Sequence, residues 1–394
     1  SPSPAVLTAA GSTLQLAVAP ENPAGYIVMV PPGNISYVVP NNAVATVNSS
    51  GLITATGPGT ETVTITESDS GISVPVVIHV GPAVGRHTVV FSRDTIDLGT
   101  GFVTAADIYA LDIDTGVKTQ LTSGPGLNFN PAPNADGTRI LFTSSRDGSH
   151  QTYVMFADGT GQQRLTKNSA QNESPRFSPD GSKIVFVSNM DHPNQPGIYD
   201  IYTMKPDGTG VTRLTNTSDS SPSGTVGNID PAWSPDGSRI AFSSDRTVFN
   251  NQPVGNVWIM NADGSNPVQL TTATDPARVA LEPWFSPDGT KLVYRADNPQ
   301  GPKDIWIMSV NGTGQTQLTH DGLTNLKPVF TPDGNIVYSW QSTPPPTASN
   351  SIVTFPNGLK IMDQTGANVT TLTNNSISSQ VLDQYPHLRL NNSP

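Results

Sequence analysis

The sequence predicts an all-β fold, a small N-terminal β-sandwich followed by a six-bladed β-propeller that the C-terminal strand closes. Three observations predict it. A unit of four short apolar runs recurs along most of the chain, the same two turn sequences separate those runs, and each unit ends on Leu-Thr. Composition agrees. Only 13% of the 394 residues are charged, while Gly contributes 35 and Pro 36, which is the balance of a turn-rich β protein.

The unit is clearest from Ile229 to Thr271, where the apolar runs are Ala232-Trp233, Ile240–Phe242, Val257–Met260 and Val268–Leu270. They are β-branched or aromatic and too short for helices, so they read as a four-stranded meander. Ser234-Pro235-Asp236-Gly237 places Pro second in a type I turn and Gly at the left-handed position. Asn261-Ala262-Asp263-Gly264 repeats that logic without the proline. The first turn returns at Asn134–Gly137, Ser178–Gly181, Ser286–Gly289 and Thr331–Gly334. The second returns at Ala157–Gly159, Pro206–Gly208, Asn311-Gly312 and Thr365-Gly366. The closures fall at Leu121, Leu165, Leu214, Leu270, Leu318 and Leu372, a period of roughly fifty residues that marks propeller blades.

With P-x-F/W-S-P-D-G, I-x-F, D-I-Y/W-x-M, D-G-T/S and L-T in that order, the chain from about His87 onward resembles the propeller repeat of TolB, the periplasmic partner of the Tol–Pal system. The resemblance implies the fold. It says little of function, because such propellers bind proteins, accompany protease domains or form enzymes. TolB's own N-terminal domain has no counterpart here.

Residues 1–80 lack the blade pattern. Leu14–Ala19, Ile35–Val39, Ala45–Val47, Leu52–Ala55, Thr62–Ile65 and Val74–Val80 alternate or run apolar between Gly, Pro and Asn clusters, as the strands of a sandwich do. The stretch from Ala43 to Thr60 resembles the group 2 bacterial immunoglobulin-like domain, with Tyr37 standing where that family usually has Trp. That resemblance implies an exported surface or envelope protein. Residues 81–86 read as a linker and 87–394 as the propeller.

The first blade has Thr88–Ser92, Asp107–Leu111 and Val117–Leu121 as its second to fourth strands, with no first strand before them. Gln384–Leu390 carries the first-strand pattern, so the C-terminus is expected to complete that blade and remove the open edge. Strand polarity puts both tight turns on one face. The opposite face receives what read as long irregular loops: Arg93–Ala106, Asn189–Gly197, Asp245–Gly255, Arg295–Lys303 and Gln341–Gly358. Loops on a rigid scaffold are where binding residues gather. The same polarity is expected to bring the linker to the tight-turn face and to leave the loop face free.

A net charge of −11 argues against nucleic acid and anionic lipid as partners. There is no cysteine, so thiolate metal sites and Cys nucleophiles are excluded. No apolar run approaches a membrane span; Tyr26–Val30 is the longest near the start. Ser1-Pro2-Ser3-Pro4 reads as a mature N-terminus left by export. The N-x-S/T sequons, among them Asn34, Asn172, Asn311 and Asn368, follow from a composition rich in Asn, Ser and Thr.

No G-x-S-x-G, H-E-x-x-H, P-loop or G-x-G-x-x-G sequence is present, and no hydrolase domain is expected after the last blade. His79, His87, His150, His192, His320 and His387 have no ligand spacing. Two positions in the repeat carry more. Eight residues before the turn Asp stand Asn128, Asn172, Asn228, Ala280 and Asn325, matched by Asp383; two residues later stand Asn130, Ser174, Asp230, Glu282, Lys327 and Tyr385. They enter the innermost strands from the loop face and should ring the channel mouth, with His387 on the same inner strand. Two readings fit. The ring is either a polar mouth for a partner, with Asp230 and Glu282 as hard oxygen ligands suited to Ca²⁺, or a set of turn caps. Lys327 beside Glu282 could fill the cation's place with a salt bridge. Asp107, Asp200 and Asp304 read as turn residues.

The expected function is that of a non-enzymatic exported protein, in the periplasm, at the cell surface or outside the cell. It would use the loop face and channel mouth to bind a protein or polysaccharide, without a required cofactor. A self-associating filament or layer protein is one alternative. A carbohydrate-active enzyme, lyase or glycosidase, is the other.

Overall fold

The computed structural model describes residues 5–16, 35–40, 42–85, 87–96, 102–192, 195, 197–216, 226–250, 252–272, 279–298, 301–342, 357–375 and 381–387. Among them every regular element is a strand. The chain divides into two compact units, Ser1–Ala83 and Val84–Pro394.

In the first unit Ala5–Leu7, Ser73–Val80, Gly59–Glu67 and Ile35–Val38 form one sheet, in that order. Thr13–Gln15, Leu52–Ala55 and Ala45–Val47 form another. Alternation sends Val63 and Ile78 from the first sheet and Ala45, Ile53 and Ala55 from the second into one buried core. The strand Ala5–Leu7, which pairs parallel with Ile78–Val80, has too few residues to show a period in sequence. The strand expected over Leu14–Ala19 is seen as Thr13–Gln15, and its continuation past Leu16 lies outside the described residues.

The strands of the second unit, among the described residues, form four antiparallel sheets of four and one sheet of eight, in which two antiparallel sets of four are joined by the short parallel pairing Ile198↔Val226 and Tyr199↔Gly227. Taking the fourth unit as the pattern, Val226–Trp233 pairs with Arg239–Phe249, that with Gln252–Asn261, and that with Val268–Gln269. Val381–His387 pairs antiparallel with Thr88–Ile96, in the register Asp383↔Arg93. Each S-P-D-G turn closes as its sequence dictates. Gly237 donates its N–H to Ser234 O at 2.9 Å with φ 70°, and Ser234 Oγ donates to Asp236 Oδ1 at 2.5 Å. That bond and those from Ser238 hold the Asp236 carboxyl down at about 2.

The second turn and the Leu-Thr closure turn out to touch. The glycines Gly159, Gly208, Gly264, Gly312 and Gly366 all have φ between 82° and 88°. A β-carbon on any of them would fall 2.2–2.8 Å from the carbonyl oxygen of Leu121, Leu165, Leu214, Leu270 or Leu318 of the preceding set. These two markers therefore recur together because one is packed on the other. Replacing Gly264 by Ala meets both a backbone oxygen at 2.6 Å and a left-handed backbone, and is expected to lower stability by about 2–3 kcal/mol. A urea midpoint within error of the parent would refute this contact's role.

Two of the expected irregular loops are strand over most of their described residues. Arg239–Phe249 and Gln252–Asn261 continue their ladder through Thr247↔Val254 and Phe249↔Gln252, where Asp245–Gly255 was expected to be loop. Thr88–Ile96 and Val103–Asp112 likewise pair out to Ile96↔Val103. The residues involved, Thr247, Val248 and Val254 or Thr95, Ile96 and Val103, are β-branched and fit a pleated surface. Most of Gln341–Gly358, and parts of the other expected loops, lie outside the described residues.

Candidate functional site

Every innermost strand carries a proline at the same place: Pro131, Pro175, Pro231, Pro283, Pro328 and Pro386. Proline has no N–H to give the ladder, and in each set the register shifts there. The shifts lie between Phe129 and Ala132, Glu173 and Arg176, Ile229 and Ala232, Leu281 and Trp284, Leu326 and Val329, and Gln384 and His387. The residue before the proline is also kept out of the right-handed helical region. Asn130, Ser174, Asp230, Glu282 and Lys327 all adopt φ between 51° and 61°, which costs a non-glycine residue about 1 kcal/mol or more.

These five strained residues converge around a cavity of about 20 Å³, shared with Arg176, Trp284 and Pro328. That is room for one water molecule. Lys327 Nζ lies 3.1 Å from Glu282 Oε1 and 3.4 Å from Asp230 Oδ1. Glu282 also accepts from Arg295 Nη1 at 2.7 Å and from the Lys327 backbone N–H at 2.7 Å. Asn130 Nδ2 donates to Ser174 Oγ at 3.0 Å. Ser243 Oγ donates to Asp230 Oδ2 at 3.2 Å. Burial would raise the Glu282 carboxyl, but Lys327 and Arg295 outweigh it and hold the group well below the ordinary range. Arg176, half-buried and 4.7 Å over the Trp284 ring, is pushed down to about 10 by desolvation while the charge of Asp230 opposes.

The expected pair Asp230 and Glu282 is thus brought together, and it holds an ammonium. Among the described residues no group of three or more His, Asp or Glu stands where it could hold a metal ion.

The Asn set is placed differently from a binding face. Asn128, Asn172 and Asn325 are fully buried and Asn228 nearly so. Their amides bridge neighbouring sets: Asn128 Nδ2 donates to Asp107 Oδ1 at 3.2 Å, Asn172 Nδ2 to Gln151 Oε1 at 3.3 Å, and Asn228 Nδ2 to Asp200 Oδ1 at 3.0 Å. Asn325 Nδ2 donates to Asp321 Oδ1 at 2.9 Å. Three of those acceptors, Asp107, Gln151 and Asp200, are in turn fixed by the closing threonines. Thr122, Thr166, Thr215, Thr271 and Thr319 donate their hydroxyls to Asp107, Gln151, Asp200, Asn256 and Asp304. The same hydroxyls accept a backbone N–H from Ile108, Thr152, Ile201, Val257 and Ile305. Asp107, Asp200 and Asp304 are therefore strand residues inside this seam and not turn residues. Asp383 belongs to the seam too, bound by Arg93 through Nε at 2.7 Å and Nη2 at 2.9 Å. The side chains of Tyr385 and His387 lie outside the described residues.

Sequence reading missed the threonines and the arginines Arg93, Arg146, Arg246 and Arg295. For the threonines the signal was present, since Thr follows Leu at all six closures.

A family model described as the TolB beta propeller domain matches residues 102–227 and 223–344. "Uncharacterized protein Atu1656" of Agrobacterium fabrum is 46% identical over 59 residues, 15% of this chain and 20% of that protein. "Protein TolB homolog" of Chlorobium luteolum is 37% identical over 218 residues, 54% of this chain and 33% of that protein. The chain thus spans a third or less of these two relatives. Among solved structures, TolB from Acinetobacter baumannii superimposes with a TM-score of 0.58 at 17% identity, covering 90% of this chain and 82% of that one.

Proposed function

The chain belongs to the TolB beta propeller domain family, and on that premise we propose that it is a non-enzymatic, exported binding and scaffold protein. Its second unit is a six-bladed ring closed by the pairing of Val381–His387 with Thr88–Ile96, preceded by an immunoglobulin-like domain. It works in the periplasm or outside the cell by holding a protein partner on the ring's surface.

The observation that carries this reading is the state of the central acids. A glycosidase or lyase centre built on Asp230 and Glu282 would need one of them to exchange protons near the working pH. Glu282 is held ionised by Lys327 and Arg295, and the cavity around it is about 20 Å³, which leaves no room for a sugar ring. The strained residues serve instead to knit the middle of the ring. Calcium has no role in this reading, because Lys327 supplies the charge that Asp230 and Glu282 require.

Two measurements test it. Turnover of any member of a polysaccharide and glycoside panel, abolished in Glu282→Gln, would overturn the non-enzymatic reading. Thermal melts with EDTA and with added calcium are expected to coincide, since a ligand bound only by the folded state would raise the midpoint. A calcium-dependent rise that Asp230→Asn removes would restore the metal site.

A further inference from the structure

Three sets share a device that a fourth lacks. In the second set Arg146 lies over the Tyr153 and Phe142 rings, at 4.8 and 5.5 Å, and these two residues pair across their strands. Its guanidinium donates to Asn128 Oδ1 at 2.9 Å, Ser144 Oγ at 2.9 Å and Gln162 Oε1 at 2.7 Å. In the fourth set Arg246 does the same over Trp258 and Phe242, donating to Asn228 and Ser244. In the first, Arg93 lies over Tyr109 and donates to Asp383.

The fifth set keeps the aromatic pair, Tyr294↔Trp306, and the Gln162 counterpart, Gln315. At the place of Arg146 it has Asn298, which is exposed and too short to cover the rings. At the places of Asn128 and Ser144 it has Ala280 and Ala296. All six of these residues line a pocket of about 270 Å³, which Asp297 and Asp304 also line. The void is thus the mould of an arginine that the chain places elsewhere and omits here.

We propose that this pocket receives an arginine side chain from a partner protein, its guanidinium stacked on Trp306 and facing Asp304. Three features select a cation with a planar head. Indole and phenol faces attract guanidinium. The two alanines widen the pocket for its stem. Asp304 is 7% exposed and its carboxyl is raised by burial, whereas its counterpart Asp200, also buried, is lowered by bonds from Thr215, His192 and Arg213. Thr272, Asn298 and Gln315 are exposed at the rim, so the mouth opens at the surface, where a partner's side chain can enter. The inference rests on the binding-protein reading only for the source of the arginine.

The test is calorimetric titration of the full chain with acetyl-Ala-Arg-Ala-amide and with its citrulline analogue, which keeps the shape and drops the charge. The arginine peptide is expected to bind at least tenfold more tightly. Asn298→Arg, which restores the chain's own plug, should abolish that binding and raise the melting temperature. Asp304→Asn installs the side chain that the fourth set carries as Asn256, so it should fold, and should weaken the peptide by about tenfold. Equal binding of the two peptides, or unchanged binding to Asn298→Arg, would overturn the site. Free arginine binding as tightly as the peptide would overturn the partner as its source. Arg278 lies outside the described residues, between the lining residues Thr272 and Val279. Binding seen only in Arg278→Ala would make the occupant the chain's own and would also overturn the proposal.

Discussion

Lys327→Met is expected to melt about 4–5 °C below the parent, from a loss of roughly 3 kcal/mol. The methionine keeps most of the side chain's length and removes its charge. Asp230 and Glu282, with side chains 15% and 7% exposed, would then share one buried site with Arg295 as the only full charge still bonded to Glu282. The loss is less than for a fully buried pair because Lys327 itself is 25% exposed. Asp230→Asn added to Lys327→Met removes the repulsion and should recover about half of it. The pH dependence has a definite sign. Glu282 is depressed below its ordinary 4.5 in the folded chain, so its contribution is complete above that pH and is lost as pH falls below it. In Lys327→Met the burial that raises Glu282 is less opposed, so the gap between variant and parent should narrow on acidification. A variant that melts within 2 °C of the parent across this range would show that the ammonium is solvated and the cluster unimportant.

Much of the ring was legible because turns and closures are local chemistry. A type I turn followed by a left-handed glycine needs only four residues, and Ser234–Gly237 states it fully. Polar residues inside strands are another matter. Asn128 and Asn228 show the right period, yet sequence cannot separate a polar group that faces water from one buried against a partner some twenty residues or more away. Their burial follows from Thr122, Asp107 and Asp200, which come from the preceding set. The length of the fourth set's hairpin was hidden for a similar reason. Asn250 has φ 50° and turns the chain within what reads as a polar loop, while Thr247 and Val254 continue the ladder on either side. Aligned repeats place Asn298 where Arg146 and Arg246 stand, four residues after the aromatic, but the pocket this leaves over Trp306 becomes visible only in space.

A chain ending at Asn375 is expected to lose the cooperative unfolding of its second unit and to aggregate. Without Val381–His387 the strand Thr88–Ile96 presents an unpaired edge, and its core residues Val89, Val90 and Phe91, all fully buried, lose their cover on that side. The seam loses several bonds together. Arg93 loses both carboxylate bonds, Ser92 Oγ loses Gln384 O at 3.3 Å, and Asn357 Nδ2 loses Val381 O at 3.0 Å. Point variants separate the electrostatic part from the strand itself. Asp383 has no exposed side-chain surface and its partner Arg93 is 20% exposed, so Asp383→Ala should cost about 2–4 kcal/mol. Asp383→Asn should cost about 1 kcal/mol or less, because Arg146 and Arg246 already bond to Asn128 and Asn228 at the equivalent place. Its effect on Asp94 adds a second readout. That carboxyl is pushed up to about 7, by burial first and by the charge of Asp383 as well, against a bond from Ser92. A raised folded value means that stability from Asp94 is full below its ordinary 3.8 and is lost as pH rises through about 7. Removing the charge of Asp383 should therefore make that decline smaller and end it at lower pH. If the second unit of the shortened chain unfolds in one transition at the parent's midpoint, the C-terminal strand is an ornament on the first sheet and not the piece that closes it.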